Sequence, residues 1–115
     1  MQFMLLIHGN ERAMMEATPT DATGMTPDYA AFNMALVKAG AMVAGERLRP
    51  TADAASVRIR NGRTEVLDGP YADTKEQFGG FYIIEAPDFD AAMDWALQCP
   101  ASRHGTIEVR PVVQS

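Results

Sequence analysis

Cysteine is almost absent from this 115-residue chain, which contains Cys99 alone. A single cysteine excludes an internal disulfide, and with only two histidines the chain has no Cys/His framework for a metal. We therefore expect a protein of the reducing cytoplasm, with no metal and no cofactor.

Basic side chains and long apolar runs are also scarce. Ten Lys and Arg residues face 15 Asp and Glu residues, for a net charge of −5. Because neutralising phosphates needs clustered Lys and Arg, we do not expect nucleic acid as a partner. The apolar stretch 1–7 is too short to span a bilayer and lacks the features of a signal peptide, so we expect no membrane association.

The composition that remains is that of one globular domain. Hydrophobic residues make up 47% and charged residues 22% of the chain, so neither disorder nor a coiled coil is favoured. At this length we expect residues 1–115 to form a single domain with one core.

The first half of the chain predicts a strand, a long connection and a helix. Residues 3–7 read as a strand with apolar side chains on both faces. Residues 9–24 are polar and predict a surface connection, with a possible helical turn around 12–16. A helix is expected to begin after Thr26 and to end at Gly40, since Thr is a good N-cap and Gly a common stop.

The second half predicts a hairpin inserted between paired strands. The expected elements are strands at 41–48 and 56–60, the Asn61-Gly62 hairpin turn, strands at 63–67 and 80–85, a helix after Asp88, and a strand at 106–112. This order is the split βαβ pattern of a ferredoxin-like α+β sheet. Two helices cover one face of such a sheet, yet the strands at 3–7 and 80–85 are apolar on both faces. We therefore predict a homodimer that packs sheet to sheet.

Chemically active side chains concentrate in the loop from Asp68 to the strand at 80–85. As a binding rim, this loop would use Asp68, Tyr71 for stacking, Lys75 to attract an anion, and Glu76. As a structural corner, Asp68 would cap the Gly-Pro turn that follows it, Tyr71 would anchor the loop, and Lys75 and Glu76 would be solvated. The two glycines at 79–80 are expected to allow a close backbone approach.

His8 and Glu46 are the candidate catalytic residues. His8 ends the first strand on the face expected to look toward the dimer cleft, where an imidazole can act as acid, base or oxyanion donor. The alternative is a strand-end histidine that is hydrogen-bonded to a loop. A buried Glu46 would need a partner, for which Arg47, Arg110 or His8 would serve, either in a pocket or as a structural ion pair.

Five short motifs occur in order along the chain: MLLI at 4–7, GERLRP at 45–50, DGPYADTKE at 68–76, GGFY at 79–82 and IEVRP at 107–111. In these motifs the chain resembles the YCII-related family, in its DGPF-domain subgroup. The resemblance implies a ferredoxin-like fold whose dimer forms an α+β barrel. Our first hypothesis for function is that the dimer cleft binds a small organic ligand, with Arg110 among the ligand-binding residues.

The resemblance also implies alternatives for function. Some family members are lyases or dehydrochlorinases that act on small ring compounds with a His and Asp pair, but here Tyr29 and Cys99 stand at those two positions. An enzyme of this kind would need His8 as acid or base. DGPF-type proteins are associated with sigma factors, so a non-catalytic regulatory or protein-interaction module is the alternative.

Overall fold

A four-stranded antiparallel sheet forms the centre of the protein in the computed structural model, which describes residues 1–16 and 26–114. The strands are β1 (Gln2–Gly9), β2 (Met42–Arg47), β3 (Ala55–Arg60), β4 (Arg63–Asp68), β5 (Gln77–Glu85) and β6 (Thr106–Pro111), and the helices are α1 (Glu11–Glu16), α2 (Pro27–Lys38) and α3 (Phe89–Gln98). Short 3₁₀ helices lie at Thr51–Asp53 and Pro100–Arg103. The sheet has the order β2-β5-β1-β6, whereas β3 and β4 pair separately. The predicted ferredoxin-like α+β fold is confirmed.

The core lies on one face of this sheet, under α2 and α3. Phe3, Leu5 and Ile7 point to that face from β1 and are buried, and Phe32 and Leu36 meet them from α2. Since side chains alternate along a strand, every second residue of β1 and β5 must lie on the other face.

That other face, which we call the open face, carries an apolar floor. Met4 pairs with Ile83 and Leu6 with Phe81, so these four side chains lie side by side on β1 and β5. They are only partly buried, and the helices of the core lie across the sheet from them. The prediction that two helices leave one apolar face uncovered therefore holds within the described residues.

The helix boundaries follow the capping signals in the sequence. The hydroxyl of Thr26 accepts a hydrogen bond of 3.3 Å from the backbone N–H of Tyr29, at the start of α2. The carboxylate of Asp88 accepts one of 2.8 Å from the N–H of Ala91, at the start of α3. The predicted turn around 12–16 is helix α1, whereas residues 17–24 of the predicted polar connection lie outside the described residues.

β3 and β4 form a hairpin that we call the arm (residues 55–68). Asn61 and Gly62 both have positive φ, 52° and 74°, as a tight turn of the mirror-image type requires. Beyond its base, no extensive packing joins the arm to another described helix or strand. The arm is therefore an appendage of the core sheet.

β5 begins at Gln77, three residues before the predicted start at position 80. A Cβ at Gly80 would lie 2.9 Å from the carbonyl oxygen of Glu46, whereas one at Gly79 would meet nothing within 4 Å. The expected close backbone approach thus occurs at Gly80, where β2 comes against β5.

Candidate functional site

A histidine, a glutamate and an arginine follow one another across β1 and β6 on the open face. His8 pairs with Thr106 and Leu6 pairs with Glu108, which places Glu108 diagonally across from His8. The Nε2 atom of His8 lies 3.7 Å from the Oε1 atom of Glu108. The Nε atom of Arg110 lies 3.6 Å from the Oε2 atom of the same carboxylate. Glu108 thus stands between an imidazole and a guanidinium.

The imidazole of His8 has unused hydrogen-bonding capacity. Its Nε2 atom is shielded from solvent and has no hydrogen-bond partner among the described residues, because the distance to Glu108 is too long for one. The ring of Phe78 packs against the imidazole ring of His8, with ring centroids 5.5 Å apart. A shielded nitrogen without a partner costs free energy, and a bound molecule that supplies the missing hydrogen bond recovers that cost.

Glu76 joins this group from the loop before β5. Its Oε1 atom accepts a hydrogen bond of 2.7 Å from the hydroxyl of Thr106, the residue that pairs with His8. The loop is tied down locally, since the hydroxyl of Thr74 donates to the carbonyl of Glu76 at 2.6 Å. Glu76 is therefore the loop residue that reaches the His8 end of the open face.

The other predicted site residues lie apart from this group. Glu46 is exposed on β2, opposite Phe81, and the described residues place no ion-pair partner beside it. Tyr71 lines a shallow concavity along the arm, and Lys75 is exposed in the loop. Asp68 ends β4, at the base of the arm.

Glu108 and Phe78 are the two residues of the group that sequence reasoning did not select. The alternation in the last strand already put Glu108 on the same side as Arg110, but the register of β6 against β1 brings it to His8. Phe78 had been assigned to the loop, and it belongs to β5 opposite His8. Both depend on strand pairing, which the sequence does not display.

A second polar cluster lies on the helix side of the sheet. The Sγ atom of Cys99 donates a long hydrogen bond of 3.9 Å to the Tyr29 hydroxyl, and the Tyr82 hydroxyl donates one of 2.5 Å to Oδ1 of Asn33. Burial raises the pKa of the Cys99 thiol and of the Tyr29 phenol, and it raises the pKa of Tyr82 to about 12. The Tyr29 hydroxyl and the Cys99 thiol are therefore in contact and uncharged near neutral pH.

Metal-ligand clusters and membrane-spanning helices are both absent from residues 1–16 and 26–114. No three His, Cys, Asp or Glu side chains come together as metal ligands would. Within the same ranges, no helix has both the length and the apolar character needed to cross a bilayer.

A four-stranded antiparallel sheet with α2 and α3 packed on one face defines a ferredoxin-like α+β domain. The family model of the YCII-related domain matches residues 1–115, and the chain belongs to the YCII-related family. It is also 35% identical over 114 residues to an uncharacterized protein of Rhizobium meliloti (strain 1021), covering 97% of this chain and 92% of that protein. The biochemical role must therefore be inferred from the open face.

Proposed function

We propose that this protein is a cytoplasmic homodimer of the DGPF subgroup that binds a small organic ligand between two open faces. The observation that carries the proposal is the Nε2 atom of His8, which is shielded and without a hydrogen-bond partner beside an apolar floor. Ligand sites of this kind combine mostly apolar walls with a few polar groups that fix orientation.

The apolar floor supports the dimer. Met4, Leu6, Phe81 and Ile83 form a continuous patch on the sheet face opposite the core. Contiguous apolar patches of this kind on soluble proteins mark interaction sites, and a second copy related by a twofold axis presents the same patch. Packing two such faces together turns a flat surface into an enclosed cleft.

The polar side chains at the end of the open face determine which ligands this site can bind. Glu108 lies between Arg110 and His8, so the site offers an imidazole nitrogen and a carboxylate oxygen 3.7 Å apart, close enough for one ligand hydroxyl to hydrogen-bond with both. A compound with an apolar ring and one hydroxyl or carbonyl group fits this arrangement. In this proposal Glu46 and the rim residues Tyr71 and Lys75 line the outer part of the cleft.

A thermal-shift screen tests the proposal. The probes are small phenols, lactones and ring ketones, added to the unaltered protein, to His8→Ala and to His104→Ala, which changes the exposed second histidine. A compound at 100 times its dissociation constant stabilises the protein by about 2.7 kcal/mol. We expect stabilisation of the unaltered protein and of His104→Ala, but not of His8→Ala. Equal shifts in all three, or no shift with any probe, would contradict the proposal.

A second candidate function is a regulatory or protein-interaction module associated with a sigma factor. It is favoured by the uncharged contact between Tyr29 and Cys99, which leaves no ionised acid and base at the positions of the family pair. Titration of the purified protein with a purified sigma factor of the same bacterium distinguishes the two. Saturable binding that survives His8→Ala supports the regulatory role, and its absence removes that role.

A further inference from the structure

The end of β5 that carries Phe78 has few backbone pairs with β1. The register of the two strands shifts after Ile7, and only two pairs follow this irregularity: His8 with Phe78 and Gly9 with Gln77. An extra residue interrupts the ladder of a sheet, and short strand ends open easily. Side chains must therefore help to keep Phe78 against the imidazole of His8.

The side-chain amide of Gln77 joins this strand end to two other segments. Its Oε1 atom accepts a hydrogen bond of 3.0 Å from the backbone N–H of Glu11, the first residue of α1. Its Nε2 atom donates one of 2.5 Å to the backbone carbonyl of Thr74. A backbone N–H can only donate and a carbonyl can only accept, so the two partners together require an amide at position 77.

The partner of Gln77 in α1 is itself held in place. The Oδ1 atom of Asn10 accepts a hydrogen bond of 2.9 Å from the N–H of Ala13, which caps α1. The carboxylate of Glu11 accepts two more from Thr51, of 2.6 Å from the N–H and 2.7 Å from the hydroxyl. Hydrogen bonds to an ionised group are among the stronger ones in proteins. The N–H of Glu11 is therefore a fixed point to which Gln77 is tied.

The turn on the other side of this bridge leads to the His8 end of the open face. Thr74, whose carbonyl accepts from Gln77, donates from its hydroxyl to the carbonyl of Glu76 at 2.6 Å. The carboxylate of Glu76 accepts a hydrogen bond of 2.7 Å from Thr106, which pairs with His8. The amide of Gln77 is thus connected to the site through a chain of short hydrogen bonds.

We infer that Gln77 is a positioning residue of the ligand site, which holds its two neighbours in the chain, Glu76 and Phe78, beside His8. The inference rests on the proposed function. Because side chains alternate along a strand, Gln77 points away from the face that holds Phe78 and does not touch the ligand. It acts only through the residues that it positions.

Proton NMR of the His8 ring tests this positioning. The ring current of Phe78 shifts the His8 ring protons, since the ring centroids are 5.5 Å apart, and Phe78→Leu gives the resonances without it. Gln77→Met has a similar size and lacks both hydrogen bonds, so we expect its His8 resonances to move toward those of Phe78→Leu. The variant His104→Ala identifies which histidine is observed.

The matched control is Gln98→Met, because Gln98 is exposed on α3 and makes one long hydrogen bond of 3.4 Å. We expect its His8 resonances to equal those of the unaltered protein. A loss of stability alone does not move the resonances of the folded state. Unchanged His8 resonances in Gln77→Met would overturn the inference.

Titration with a small ring compound tests the consequence for binding. The probe is whichever of phenol, γ-butyrolactone and cyclohexanone gives the largest thermal shift. We expect Gln77→Met to bind it about tenfold more weakly than the unaltered protein, which is about 1.4 kcal/mol and the size of one lost hydrogen bond. Gln98→Met should bind with the original dissociation constant. Equal constants in all three proteins would overturn the inference.

Thr74→Val is a milder variant of the same connection. Thr74 is exposed, and the substitution removes only the hydroxyl that donates to the carbonyl of Glu76. We expect smaller changes than in Gln77→Met, in the same direction. If circular dichroism shows that Gln77→Met does not fold, Thr74→Val decides the question, and unchanged His8 resonances and affinity in this variant overturn the inference.

The two proposals fail in different ways. If none of the probes binds the unaltered protein, the proposed ligand site is wrong and the role of Gln77 with it. If a probe binds through His8 and binds Gln77→Met equally well, only the role of Gln77 is wrong.

Discussion

The imidazole of His8 and the carboxylate of Glu108 face each other on neighbouring strands, with Nε2 and Oε1 3.7 Å apart. The distance is too long for a hydrogen bond and short enough for the two groups to act on one small molecule. The register of β1 against β6 creates this relationship, because it sets the two residues diagonally on the same face.

Replacing Glu108 with Gln should affect binding far more than stability. The carboxylate is half exposed and its contacts with His8 and Arg110 are long, so we expect a loss of about 0–1 kcal/mol in the free energy of unfolding. Urea denaturation measures this loss. A loss above about 3 kcal/mol would show that Glu108 serves the fold rather than a ligand.

Substituting Gly80 should destabilise the sheet, because a methyl group there would press on the carbonyl of Glu46. We expect Gly80→Ala to lower the free energy of unfolding by about 1–3 kcal/mol. The neighbouring Gly79→Ala is the control, since its Cβ meets open space. Equal stability of the two variants would show that β2 does not approach β5 this closely.

Alkaline pH should destabilise the protein through Tyr82. Burial raises its pKa from 10.0 to about 12, so above pH 10 the unfolded chain loses the phenol proton first. The stability that this group contributes is complete below pH 10 and is lost as the pH rises to about 12. Tyr82→Phe should flatten the fall in unfolding free energy over this range, whereas Tyr71→Phe, at an exposed site, should not. The same slope in all three proteins would contradict the burial of Tyr82.

The Cys99 thiol should be nearly inert in the folded protein. It is fully buried, and burial raises its pKa, so little thiolate forms near neutral pH. We expect Ellman's reagent to label it slowly in buffer and within seconds in guanidinium chloride. Rapid labelling in buffer would show that Cys99 is a reactive thiol and would contradict its burial.

The sequence predicted the local elements because their signals are local. Thr26 caps α2 through its own hydroxyl, and Asn61-Gly62 turns the arm through its own backbone conformation. Phe78 and Glu108 could not be placed this way, because their positions beside His8 depend on the register of strands far apart in the chain.

The apolar stripe of α3 shows a second limit. Spacing identifies Phe89, Met93 and Leu97 as one face of a helix, but spacing does not say what covers that face. On α3 the core buries only the small side chains Ala92 and Ala96, Trp95 is half-buried against Phe32, and the three larger residues of the stripe remain exposed.

The molecular mass in solution tests the central claim, which is that two open faces pack together. Each chain has a mass of 12.5 kDa, so light scattering at micromolar concentration should give twice that value for the unaltered protein. Ile83→Lys places a charge on the apolar floor and should give single chains, whereas Val37→Lys, at an exposed position of α2, should leave the dimer intact. A mass of 12.5 kDa for the unaltered protein, or a dimer that survives Ile83→Lys, would contradict the account.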